Sequence, residues 1–115
     1  MEQHKDQMRL KHMLESCKEA ENLASNKNRE DIFKERILEL ALTRLVEIIG
    51  EAATKISENT KMKYSKIQWK EIIGLRNRLF HGYDSVDLDI LWDIIEFDLP
   101  VLVKELQKII PDNQA

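Results

Sequence analysis

Three side chains near the middle of the chain have the types and spacing for phosphate chemistry: Arg76, His81 and Tyr83, all within WKEIIGLRNRLFHGY, Trp69 to Tyr83. A guanidinium cannot shed its charge and can grip two phosphate oxygens at once. An imidazole titrates near neutrality and can take or give a proton. Against a phosphodiester whose attacking group is already present, as the 2′-hydroxyl is in RNA, a base and a fixed cation for the charge that builds on phosphorus are enough without a metal. One histidine cannot easily both take the hydroxyl proton and supply one to the leaving oxygen, so a symmetric dimer that joins two such sites would provide the second. The structural alternative is that Arg76 pairs with a carboxylate such as Glu51, His81 caps a helix end and Tyr83 packs with its hydroxyl in water. Residue types alone leave both open.

Positioning these groups makes demands on the backbone. At about 100° of rotation per residue, Trp69, Ile72, Ile73, Arg76 and Phe80 share one helix face, with Arg76 in its middle. An unpaired guanidinium in an apolar setting would cost several kcal/mol, so a crevice or an interface is expected there. On an unbroken helix His81 would lie roughly 140° around from Arg76. Gly82 suits a left-handed helix end, which would swing His81 and Tyr83 back toward Arg76.

Four helices with short connections are expected to carry this stretch. The first, roughly Gln3 to Ala24, has a thin stripe of Leu10, Met13, Leu14 and Cys17 and reads as peripheral. The second, about Arg29 to Ser57 after a start at Asn28, keeps Ile37, Ala41, Ile48, Ala52 and Ile56 on one side, with Arg44 and Glu51 aligned at its edge. Gly50, Ala52 and Ala53 thin it for close approach by a neighbour. Glu58 to Tyr64 reads as a short basic connection, Ser65 and Gln68 as a capping box starting the third helix near Lys66, and Asp84 to Val86 as a turn. The fourth helix, about Asp87 to Ile110, keeps Leu88, Leu91, Trp92, Ile95, Leu99, Leu102, Val103, Leu106, Ile109 and Ile110 in phase across Pro100, which predicts a kink. The expected fold is an all-α, antiparallel four-helix up-and-down bundle forming a single domain over residues 1–115, with apolar positions to spare for a homodimer.

Composition narrows the function classes. With 115 residues, 43% hydrophobic, and only three Gly and two Pro, the chain suits one helical domain. A single cysteine, no signal peptide and no uninterrupted apolar run point to a cytoplasmic protein without a membrane span. The net charge of −3 argues against coating nucleic acid by bulk attraction, yet Lys61, Lys63, Lys66, Lys70, Arg76 and Arg78 face only one acid, Glu71, before His81. A phosphate-bearing ligand would be drawn to that end. No metal site is expected: His4, His12 and Cys17 lack zinc-ligand spacing. No glycine loop for a nucleotide cofactor is present, and Glu47 with Glu51 reads as ordinary helix surface.

The stretch RNRLFHGY, Arg76 to Tyr83, matches an Arg-x4-His-x-Tyr motif and resembles the HEPN superfamily in the form carried by HepT-like toxins of toxin–antitoxin pairs. ALTRLVEIIGEAATKIS, IQWKEIIGLRN and LWDIIEFDLPVL extend the likeness over about Ile32 to Ile110, with Gln68 where the family commonly has proline. The resemblance implies a homodimer with a cleft between protomers and metal-independent endoribonuclease activity on an RNA substrate. Arg76 and His81 would line that cleft, Asn77 would help orient the phosphate, and Glu51 and Arg78 are supporting candidates. It also implies a minimal nucleotidyltransferase antitoxin that silences the enzyme by AMPylation of Tyr83. The alternative from another class is a non-catalytic helical module that docks a nucleotidyltransferase or a nucleotide through the same basic end.

Overall fold

The first helix is integral to the core. In a computed structural model that describes residues 2–82 and 85–110, with side chains from residue 5 onward, α1 (Glu2–Ala24) packs along α3 (Arg36–Lys55) and touches α8 (Leu99–Ile109). Its stripe of Leu10, Met13, Leu14 and Cys17 is buried as expected and extends to Ala20, so the peripheral placement is corrected. Each large apolar side chain removed from water here contributes about 1.5–3 kcal/mol. Asp6 shares that buried side. It accepts the Ser57 amide at 3.1 Å and the Thr60 hydroxyl at 2.6 Å, fastening α1 to the start of α4 (Glu58–Lys63).

The expected second helix is two. Asn28 forms a reciprocal capping box with Asp31 at the start of α2 (Arg29–Lys34), and Glu35, in extended backbone, separates it from α3. α3 stops at Lys55, because Ile56 is also extended, short of the expected Ser57. The buried face of α3 is Leu38, Leu42, Leu45, Val46, Ile49 and Ala53, continued by Ile56. That differs from the stripe expected from the sequence: Ile37 is 83% exposed, and Ala41, Ile48 and Ala52 are only half-buried. α3 carries apolar residues on two neighbouring stripes, and the Leu-rich one, which meets Met13, Leu14 and Cys17 in a single core, won.

The basic connection is a short helix, α4, whose N-cap Ser57 accepts the Thr60 amide. The capping box at Ser65 and Gln68 does not form. Gln68 precedes α5 (Trp69–Ile73) without a side-chain cap, and the Tyr64 carbonyl instead receives the Trp69 indole N–H at 3.1 Å and the Ile67 amide. Gly74 then divides α5 from α6 (Leu75–Leu79). The helix ends at Leu79, and Phe80–His81 (β1) pairs antiparallel with Ser85–Val86 (β2). Gly82, at φ +79°, occupies the left-handed region as expected, but in the turn of this hairpin and not at a helix end. The expected turn at Asp84 to Val86 is therefore partly strand, and Tyr83 and Asp84 lie outside the described residues.

The last helical run keeps its apolar phase from Leu88 to Ile110, as α7 (Leu88–Asp93), a π-helical turn over Ile94–Asp98, and α8. A π turn stands just before Pro100, where the sequence predicts a kink. Pro100 has no N–H for the ladder and its ring crowds the preceding carbonyls, and the Leu99 amide reaches back five residues to Ile94. Arg29 bridges Asp89 at 3.0 Å and Asp93 at 2.6 Å, clamping α2 onto α7. No helix among the described residues is long and apolar enough to cross a membrane.

Candidate functional site

Arg76 is presented to solvent. Leu75 and Leu79 take the buried side of α6, which leaves Arg76 beside that face with 57% of its side chain exposed, so the expected apolar crevice is not what surrounds it within one chain. The guanidinium is nonetheless placed. Its Nε donates to Glu47 Oε2 at 3.2 Å, and it lies over the Phe80 ring, 4.6 Å from the centroid. Both contacts leave Nη1 and Nη2, the fork that grips phosphate, without a hydrogen bond among the described residues.

Glu51 is not the partner of Arg76. It accepts from Arg44 Nη1 at 3.0 Å one helical edge away, as the seven-residue spacing within α3 predicts. Glu47, which reads in the sequence as ordinary helix surface, is the carboxylate that α3 offers to α6, with its side chain 19% exposed. Arg78 points elsewhere: its Nη1 donates to Asp98 Oδ2 at 2.8 Å, joining α6 to the π turn. Asn77 is exposed between the two arginines.

His81 reaches the surface from β1, with 65% of its side chain exposed and Nε2 facing Asp87 Oδ2 at 3.4 Å. Arg76 and His81 therefore rest on separate carboxylates, on α3 and just before α7, and no hydrogen bond joins them. What brings them onto neighbouring backbone is the end of α6 at Leu79, after which extended backbone at Phe80 replaces the last helical turn. Sequence reasoning missed Glu47, Phe80 as a stacking partner and Asp87. For Phe80 a signal existed, since it stands four residues after Arg76; Glu47 and Asp87 become partners only through tertiary packing.

Cys17 is buried in the core and His12 is exposed on α1. Burial, with Glu21 nearby, pushes the Cys17 thiol up to about 12. His4's side chain lies outside the described residues. Among the described residues no group of three or more His, Cys, Asp and Glu is placed to hold a metal ion.

Comparison with known proteins identifies the family. Residues 13–109 match the family described as "Ribonuclease HepT-like". A protein of Caldanaerobacter subterraneus subsp. tengcongensis named "Putative RNase" is 36% identical over 101 residues, covering 88% of this chain and 90% of its own length. "Probable ribonuclease HepT" of Thermococcus cleftensis is 34% identical over 80 residues, 70% of this chain and 73% of its own. A Methanocaldococcus jannaschii protein named "Gamma-glutamylcyclotransferase and putative RNase" is 36% identical over 103 residues, 90% of this chain, and this chain spans only 46% of its length. No solved structure matches the chain significantly. With the matched segment running from α1 to the end of α8, the chain belongs to the HepT-like ribonuclease family of the HEPN superfamily.

Proposed function

We propose that the protein is a metal-independent endoribonuclease acting as the toxin of a toxin–antitoxin pair. The observation that carries the nuclease reading is the presentation of Arg76: braced through Nε and its flat face, with the phosphate-gripping fork toward solvent. His81 accepts the proton of an RNA 2′-hydroxyl as that oxygen bonds to phosphorus. The bond from phosphorus to the 5′-oxygen breaks, leaving a 2′,3′-cyclic phosphate, and the 5′-oxygen takes a proton from the His81 of a second copy. Arg76, with Asn77 beside it, balances the charge on the phosphoryl oxygens.

Pairing of two copies is supported by the apolar side chains that α2 and α3 leave uncovered, Phe33 55% exposed on α2 and Ile37 83% and Leu40 49% exposed on α3, the helix that also carries Arg44, Glu47 and Glu51. Silencing follows the resemblance: a minimal nucleotidyltransferase transfers AMP from ATP to the Tyr83 oxygen, releasing pyrophosphate. The added phosphodiester would then occupy and repel at the phosphate site two residues from His81. Cytoplasmic location belongs to the same reading.

The test is cleavage of total RNA by purified protein in EDTA. His81→Ala is expected to abolish cleavage with the circular-dichroism spectrum and melting temperature retained, and chelator-sensitive cleavage by the wild type would overturn the mechanism. A mass gain of AMP units on incubation with ATP, magnesium and the nucleotidyltransferase checks the regulatory half. A second reading, a non-catalytic docking module, is favoured by one observation. Ile67, Ile72, Leu75, Leu102, Phe97 and Val101 line a groove of about 230 Å³, with Phe97 60% and Val101 61% exposed. Wild-type protein that leaves RNA intact would select it.

A further inference from the structure

Asp87 makes three contacts at the junction between the hairpin and α7. Its amide donates to the Leu79 carbonyl at 2.8 Å, tying the end of β2 to the last residue of α6. Its Oδ1 accepts the Ile90 amide at 3.0 Å and caps α7. Its Oδ2 faces His81 Nε2 at 3.4 Å. The strand register, Phe80 with Val86 and His81 with Ser85, brings the backbone of His81 next to the segment that carries this carboxylate. Since the cap holds Oδ1, the second oxygen is left on the ring's side, close to Nε2 but not in hydrogen-bonding alignment with it, and the side chain is only 32% exposed.

We propose that Asp87 is the positioning residue for His81. Its Oδ2 holds the ring by Nε2, keeps the neutral imidazole protonated on that nitrogen, and so presents the Nδ1 lone pair to the substrate hydroxyl. This rests on the nuclease reading above. Nδ1 is then the nitrogen that takes the proton from the hydroxyl. An exposed histidine with no such partner would divide its time between tautomers and rotamers, and only a fraction would be ready to act as base.

Asparagine separates the two roles of Asp87. It caps a helix as well as aspartate does, but the group it would turn to His81 is an amide N–H₂, a donor. Facing a donor, Nε2 becomes the acceptor and the proton moves to Nδ1, which disables the base. Serine caps too, and its shorter arm does not reach the ring.

The experiment compares wild type, Asp87→Asn and Asp87→Ser by ¹⁵N spectra of the imidazole, assigned with His81→Ala, and by RNA cleavage kinetics. Expected are an Nε2-protonated ring in the wild type, loss of that preference in both variants, and kcat lower by on the order of 10²-fold with KM little changed, at unaltered melting temperature. A wild-type ring protonated on Nδ1, or the same tautomer in all three proteins, would overturn the assignment, as would variants that cleave at the wild-type rate. A tautomer change in a protein that never cleaves RNA would uphold the positioning and overturn the nuclease reading alone.

Discussion

Arg76 lies across the ring of Phe80, 4.6 Å from its centroid, so the first residue beyond α6 is also the shelf for that helix's most exposed cation. The stacking and the single Nε contact fix the plane of the guanidinium while its far edge stays open. Arg76→Lys keeps the charge and loses both plane and fork. RNA cleavage should fall by on the order of 10²-fold. The pair with Glu47 is largely solvated and contributes about 1 kcal/mol or less, so denaturant midpoints should barely move.

Asp6 supplies a pH signature for the fold. Burial works to raise its pKa, but hydrogen bonds from the Ser57 and Thr60 hydroxyls and the Ser57 amide, with the charge of Arg9, outweigh it and hold the carboxyl below its ordinary value. A group whose folded-state pKa is depressed stabilises the fold above its unfolded value, and that stabilisation is lost as pH falls through the folded one. Asp6→Asn should therefore be less stable than wild type at neutral pH, by about 1–3 kcal/mol, with the gap closing below pH ~4. Urea melts at several pH values measure it.

Cys17 is fully buried and its thiol is pushed up to about 12, chiefly by desolvation. The native protein should resist a thiol-alkylating reagent, and labelling should track unfolding across a denaturant series. Rapid labelling at zero denaturant would show that α1 opens separately from the core.

Gly82 sits at φ +79° with nothing among the described residues within 4 Å of the place where a side chain would start. Gly82→Ala meets backbone strain alone, about 1–2 kcal/mol, and Gly82→Asn should cost less. Because the hairpin aligns His81 with Asp87, the alanine variant should lose RNA cleavage out of proportion to its small drop in melting temperature.

Ile37, 83% exposed, contributes little to the folded monomer. Ile37→Asp should leave monomer stability within about 0.5 kcal/mol of wild type. In sedimentation it should shift a dimer to monomers and lower cleavage with them; an unchanged sedimentation coefficient would remove the α2–α3 stripe as the pairing surface.

The sequence made the last helix legible because one dense apolar stripe runs from Leu88 to Ile110, and Pro100 perturbs the ladder only locally, through the turn at Ile94–Asp98. It was misleading for α3, where two apolar stripes compete and the choice is made by Met13, Leu14 and Cys17 across the core. The motif residues could be singled out from their types, but the carboxylates that hold them could not. Glu47 meets Arg76 across 29 positions of chain, and Asp87 meets His81 only because a hairpin replaces the helical end expected at Gly82.

At Gly50, α3 shows bare backbone to the Ile72 carbonyl, so near that a methyl group there would stand 3.3 Å from the oxygen. A single hydrogen atom thus acts as the shim between the helix that bears Glu47 and the helix that leads to Arg76. Thickening it would prise α5 outward by a few tenths of an ångström, and the arginine one turn downstream would be carried away from its brace without any change to the motif itself.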